Sequence, residues 1–173
     1  MRRGSGATAA LVVIARVRAG EEEEARDAIR AWWDPGDSPF AAVEGTHLAR
    51  LQVLRPPRRR PRDAAAHVLL AADVDAPLWP WVERLRAGAG PQLDAVLGHC
   101  AFYPGSAEPA PFARFVAANR VEVGFSVIGS PGATTADVAA ALALRDEVAA
   151  FAERTQLLDG AQLHAAWRAW RGA

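Results

Sequence analysis

Three stretches of this chain alternate so regularly between apolar and mixed residues that each suits a strand lying on a hydrophobic layer. ALVVIARVR (10–18) divides into Leu11, Val13, Ala15 and Val17 against Val12, Ile14 and Arg16. HVLLAADV (67–74) divides into Val68, Leu70, Ala72 and Val74 against His67, Leu69, Ala71 and Asp73. In GTHLARLQVLR (45–55), Ala49, Leu51 and Val53 oppose Arg50 and Gln52. Successive strand side chains point to opposite faces, so each stretch offers one face to a core and one to something else. A later stretch, RVEVGFSVIG (120–129), sets Val121, Val123, Phe125 and Val127 against Arg120, Glu122, Gly124 and Ser126.

Helical periodicity fills the gaps. EEEEARDAIRAWW (21–33) opens with four acids, favourable at a helix N-terminus, and carries Ala25, Ile29, Trp32 and Trp33 at helical spacing. A second helix is expected after Asp75, with Pro77 and Pro80 in its first turn, a break at AGAGP (87–91) and a second piece at QLDAVLG (92–98). HCAFYPG (99–105) reads as a short fourth strand ended by Pro104. The order is β-α-β-β-α-β, that of a ferredoxin-like α+β unit over residues 10–104: an antiparallel sheet with both helices on one face. An additional β-α unit follows within 109–173, with a short helix at PFARFVAAN (111–119), the late strand and a helix from Thr134 to Arg154. The C-terminal helix AQLHAAWRAW (161–170) puts Leu163, Trp167 and Trp170 on one face, to clamp onto the body or a second subunit. At 173 residues one domain is expected.

Composition narrows the chemistry. All 20 basic residues are Arg, so a Schiff-base lysine and a P-loop lysine are both excluded. Cys100 is the only cysteine, which excludes an internal disulfide, a CxxC pair and a multi-cysteine zinc site. No organic cofactor or metal is expected. The 20 acids balance the 20 arginines, leaving no general attraction to nucleic acid or to an anionic membrane. The N-terminal apolar run is followed directly by Arg16 and Arg18 without a signal cleavage site, so it reads as a strand of a cytoplasmic protein. RPPRRRPR (55–62) reads as a solvated, proline-stiffened loop, with an anionic partner as the second reading. GSPGATTAD (129–137) is a glycine-rich turn explained by helix capping from Thr134 and Asp137.

The polar members of the strands sort onto the face away from the helices: Arg16, Arg50, Gln52, His67, Asp73, Glu122 and Ser126. Such a face suits either a solvated or dimer-buried surface held by ion pairs or a ligand chamber with a few placed polar groups. In the second reading Arg50 stabilises a developing anion and His67 or Tyr103 moves a proton. Gln52, Asp73, Glu122, Ser126, Trp79 and Trp81 contact the substrate. His47 falls on the face opposite Arg50 in a regular strand, unless a bulge near Gly45 turns it inward. His99 and Tyr103 share a face of HCAFY and Cys100 does not.

The element order resembles the dimeric α/β-barrel superfamily, in which ferredoxin-like units pack sheet to sheet around a lumen. The series THLAR, DVD and HCAFYPG is also similar to one found in an uncharacterised family. This chain departs from that series at Leu48, where the family has Phe, and at Phe102, where the family has Gly. The resemblance implies a homodimer and a cofactor-independent cyclase or isomerase of specialised metabolism acting on a hydrophobic, polyketide-like molecule. A non-catalytic carrier and a haem-binding enzyme, with His47, His67 or His99 as axial ligand, are the alternatives.

Overall fold

Burial follows the alternation. In the computed structural model, which describes residues 8–32, 38–55, 65–124 and 132–172, β1 (Thr8–Arg16), β2 (Thr46–Leu54) and β3 (His67–Asp75) form an antiparallel sheet of order β1-β3-β2. Leu11, Val13, Ala15, Val68, Leu70, Ala72 and Val74 are buried in one core, and Ala49, Leu51 and Val53 of the edge strand β2 pack against it. Each buried Val or Leu contributes roughly 1.5–3 kcal/mol, which makes this face the main source of stability.

Three helices share that core. α1 (Glu22–Arg30) places Ala25, Ala28 and Ile29 inward and stops before Trp32, whose ring meets the edge of Phe40 at 6.3 Å. Trp33, expected in the same helix, lies outside the described residues. α2 (Leu78–Leu97) runs without the expected break at AGAGP, with Pro91 inside it. Its buried positions Leu78, Trp81, Val82, Leu85, Ala89, Leu93, Val96 and Leu97 keep helical phase across the proline. An interior proline costs about 3 kcal/mol, less than the burial of three aliphatic side chains beyond it contributes. α3 (Pro109–Asn119) buries Phe112, Phe115 and Val116 in the same core.

Two expected strands are reduced to bridges on the free edge of β1. Cys100 bridges Val17, with Arg18 N donating to His99 O at 2.9 Å and Ala101 N to Arg16 O at 2.8 Å. The extended run then ends because Phe102 turns to a φ of +62°. Farther along, Arg120 bridges Val13, and Val121 N donates to Val12 O at 2.8 Å. Directly paired residues share a face, so this register reverses the expected assignment. Val123 joins Ala10 and Val12 on the free face, and Glu122 falls on the other side. The remainder of that stretch, including Ser126, lies outside the described residues.

The chain divides into two compact units between Thr135 and Ala136. The C-terminal unit holds most of α4 (Thr135–Thr155) and all of α5 (Gly160–Arg171). A capping box starts α5: Asp159 accepts from Gln162 N, and the Gln162 side chain accepts from Asp159 N. The expected clamp of Trp167 and Trp170 closes on Phe151 of α4, at ring distances of 5.8 and 5.4 Å, while Leu163 stays exposed. No helix among the described residues is long and apolar enough to cross a membrane.

The two sheet faces should respond differently to truncation. Leu70→Ala, on the core face, is expected to destabilise the protein by about 2–5 kcal/mol in urea unfolding, whereas Gln52→Ala should change stability by no more than about 0.5 kcal/mol. Equal losses would contradict the two-faced sheet.

Candidate functional site

A bulge decides where His47 points. Thr46 pairs with Val74 and Leu48 with Asp73, so His47 is the extra residue in β2. Gly45, at φ +83°, leads into it, and Asp75 N donates to Gly45 O at 2.7 Å. An added Cβ at Gly45 would sit 3.2 Å from Asp75 Cβ, so the position needs both the conformation and the bareness of glycine. On the helix side, Thr46 Oγ1 donates to Val43 O at 2.7 Å and accepts from Trp81 Nε1 at 3.0 Å. With Thr46 fixed inward, the bulge carries His47 toward the free face, where its Nε2 lies 2.8 Å from Asp75 Oδ1.

Asp75 is the residue the sequence reasoning missed. Its carboxylate accepts from Thr135 Oγ1 at 2.8 Å and from Thr135 N at 3.1 Å, as well as from His47. Burial alone would raise its pKa, but the hydrogen bonds from Thr135 and His47 together outweigh burial and hold it below the ordinary carboxylate value. Asp75 is therefore ionised at neutral pH and can only accept, which puts the hydrogen of a neutral His47 on Nε2. Nδ1 is left as a basic lone pair with no hydrogen bond among the described residues. A signal for Asp75 was present in DVD, since Asp73 and Asp75 share a strand face.

The other expected residues separate into three places. Arg50 and Asp73 line an open depression of ≈ 180 Å³ on the free face, with Ala10, Val12, Leu48 and Ala71 as its apolar part. Arg50 pairs with Ala71, two pairs away from Asp73 and Leu48 and on the same face. Gln52 lies farther along the same face, opposite Leu69, and His67 pairs with Arg16 and Leu54 at the far end. His67 is four residues from Ala71, the partner of Arg50, roughly 14 Å along the strand, and it does not line the depression.

Tyr103, Trp79 and Trp81 belong to the helix layer. Tyr103 Oη donates to Asp94 Oδ1 at 2.5 Å, and its ring meets the edges of Phe112 and Phe115. Burial, reinforced by that carboxylate, pushes the phenol well above its ordinary pKa, which suits a structural tether and not a proton donor. Trp81 is 0% exposed in the core, while Trp79 is half-exposed on the outside of α2. Neither walls the free face, because α2 packs on the opposite side of the sheet. Cys100 is fully buried and its thiol is pushed up to about 11, chiefly by desolvation, so it is not a nucleophile at neutral pH.

His99 is held by Glu21 at the end of β1. Its Nδ1 lies 2.9 Å from Glu21 Oε2, and Arg18 binds the same carboxylate through two nitrogens at 2.7 Å. Arg18 also donates to Gly98 O at 2.6 Å, closing the turn after α2. Among the described residues no three His, Cys, Asp or Glu side chains gather as a metal-binding group. Of the Arg-rich loop, Arg55 is described and pairs with Glu23, and residues 56–62 lie outside the described residues.

The Glu21 cluster sets a pH dependence. The hydrogen bond from Arg18, followed by that from His99, lowers Glu21 from 4.5 to about 2. A depressed carboxylate pKa contributes stability that is complete above its ordinary value and is lost as pH falls through the folded value. The parent should therefore melt higher than Glu21→Gln at neutral pH, with the gap closing between pH 4.5 and about 2. A gap that persists at the acid end would show that packing and not ionisation is responsible. This site rests on geometry alone, since no family model, no curated protein and no solved structure matches the chain.

Proposed function

We propose that this protein is a cofactor-independent acid-base enzyme, an isomerase or cyclase acting on a largely apolar small molecule, with His47 as the base. The observation that carries this is the bulge-turned His47, held through Nε2 by an Asp75 that Thr135 fixes with two donors. A carboxylate behind an imidazole sets its tautomer and stabilises the imidazolium formed when the other nitrogen takes a proton. Arg50, on the same face, supplies the positive charge for an enolate or similar anion as it develops. Asp73 orients the polar end of the substrate, and Val12, Leu48 and Ala71 hold its apolar body.

The depression of ≈ 180 Å³ is smaller than the roughly 300–1,000 Å³ of typical ligand pockets, and it is open. A second copy applied face to face would supply the missing wall, as in the sheet-to-sheet pairing of ferredoxin-like units. The sheet order supports that reading: with the Cys100 segment on the free edge of β1, the succession is fourth segment, β1, β3, β2. The partly buried aliphatic residues on the free face, Val12, Ile14 and Leu69, give such a pair an apolar centre.

Proton abstraction next to a carbonyl can be read without knowing the product. The chain should catalyse exchange of α-hydrogens for deuterium in D₂O on members of a panel of apolar β-diketones and β-keto thioesters, followed by mass spectrometry. His47→Gln should slow this by about 10²–10⁴-fold, and Arg50→Met should weaken it with His47 intact. Binding of panel members without exchange by the parent would favour the carrier, and full exchange by His47→Gln would remove the assignment of the base.

A further inference from the structure

Phe102 is held in a conformation and an environment that both disfavour it. Its φ of +62° lies in the left-handed region that bulky residues rarely adopt, and it is 97% exposed. The turn does not leave it free to relax. On one side Ala101 N is bound to Arg16 O and Cys100 N to Leu97 O, each at 2.8 Å. On the other, Asp94 accepts from Tyr103 Oη at 2.5 Å and from Ser106 N and Ser106 Oγ at 2.8 Å. An added Cβ at Gly90 of α2 would come 2.6 Å from Ser106 Oγ, so the bareness of that helix position seats the loop. An apolar ring is thus carried into solvent on a strained residue whose flanking turn is tied down, a combination found at ligand clamps.

The ring borders an open groove of ≈ 440 Å³ between this turn and α3. Pro104, Pro111 and Phe115 make its other apolar walls, with Arg114 and Asn119 at the polar side. No acidic residue lines it, and Arg114 has no carboxylate partner among the described residues. The volume falls within the range of small-molecule sites, and two prolines and a buried aromatic leave the walls little freedom to lose on binding. The groove shares no residue with the depression beside Arg50 or with the His47 and Asp75 pair.

We propose that this groove is a second ligand site, specific for an amphipathic carboxylic acid. The apolar body lies between Phe102 and the wall from Pro111 to Phe115, and the carboxylate pairs with Arg114, whose planar fork matches it. The position of Phe102 is the specificity element: the strained turn fixes the ring as one jaw, so that entry of an apolar body removes from water a surface the free protein leaves exposed.

Calorimetric titration of the full chain with 4-phenylbutyrate and with 4-phenylbutanol tests this, because the two probes share a body and differ in charge. The acid should bind about tenfold more tightly, and Arg114→Gln should abolish that preference. Ala118→Trp, an exposed α3 position lining the groove, should block both probes without unfolding the protein. Phe102→Gly should weaken both while the unfolding temperature holds or rises, since glycine adopts this φ without strain. Equal affinity for the two probes, or no binding by the parent, would overturn the proposal. So would acid binding untouched by Ala118→Trp, which would place the acid elsewhere, or a Phe102-dependent self-association in light scattering, which would make the ring a dimer contact.

Discussion

Everything in the N-terminal unit is placed by the phase of β3. It is the central strand, paired on both sides, and Val68, Leu70, Ala72 and Val74 on one of its faces are buried. Sliding it by one residue would drive His67, Asp73 and Asp75 into the core and push four aliphatic residues out, and burying even one uncompensated charge costs several kcal/mol. With that register fixed, the helices have one face to cover, and the polar residues of the three strands, Thr46 excepted, fall together on the other.

The faces of the strands are legible in the sequence because a period of two is a local property. So is the short helix α3. What is not legible depends on partners far along the chain. Pro91 reads as a break because propensity is local, whereas the burial of Leu93, Val96 and Leu97 that overrides it is tertiary. The alternation of residues 120–123 is real, yet its direction is set by the bridge to Val13, and a one-residue choice of register turns Val123 outward and Glu122 away. His47 could be assigned to either face until the bulge was located, and Asp75, just past the end of the alternating run, gains its meaning only from Thr135, 60 residues later.

Three acids act as hubs, and comparison among them separates scaffold from chemistry. Asp94 gathers Tyr103 and Ser106, and its donors come from one loop that it ties to α2. Glu21 gathers Arg18 and His99 and joins the end of β1 to the turn after α2. Asp75 gathers Thr135 and His47, and like Glu21 it holds a histidine through one ring nitrogen. What separates the two histidines is their surroundings: His99 shares its carboxylate with Arg18, whereas His47 is carried by the bulge of the strand that also bears Arg50.

The bulge in β2 has a further effect, on how this protein behaves in a crowded solution. Among the described residues β2 pairs only with β3, so its outer rim carries backbone donors and acceptors of the kind that recruit strands from other molecules. An extra residue at His47 kinks and twists that rim near its start, and the exposed Arg50 and Gln52 interrupt its apolar character farther on. The irregularity that turns the imidazole therefore also makes the strand a poor template for amyloid-like growth. Straightening β2 would remove both the aimed histidine and a barrier to aggregation.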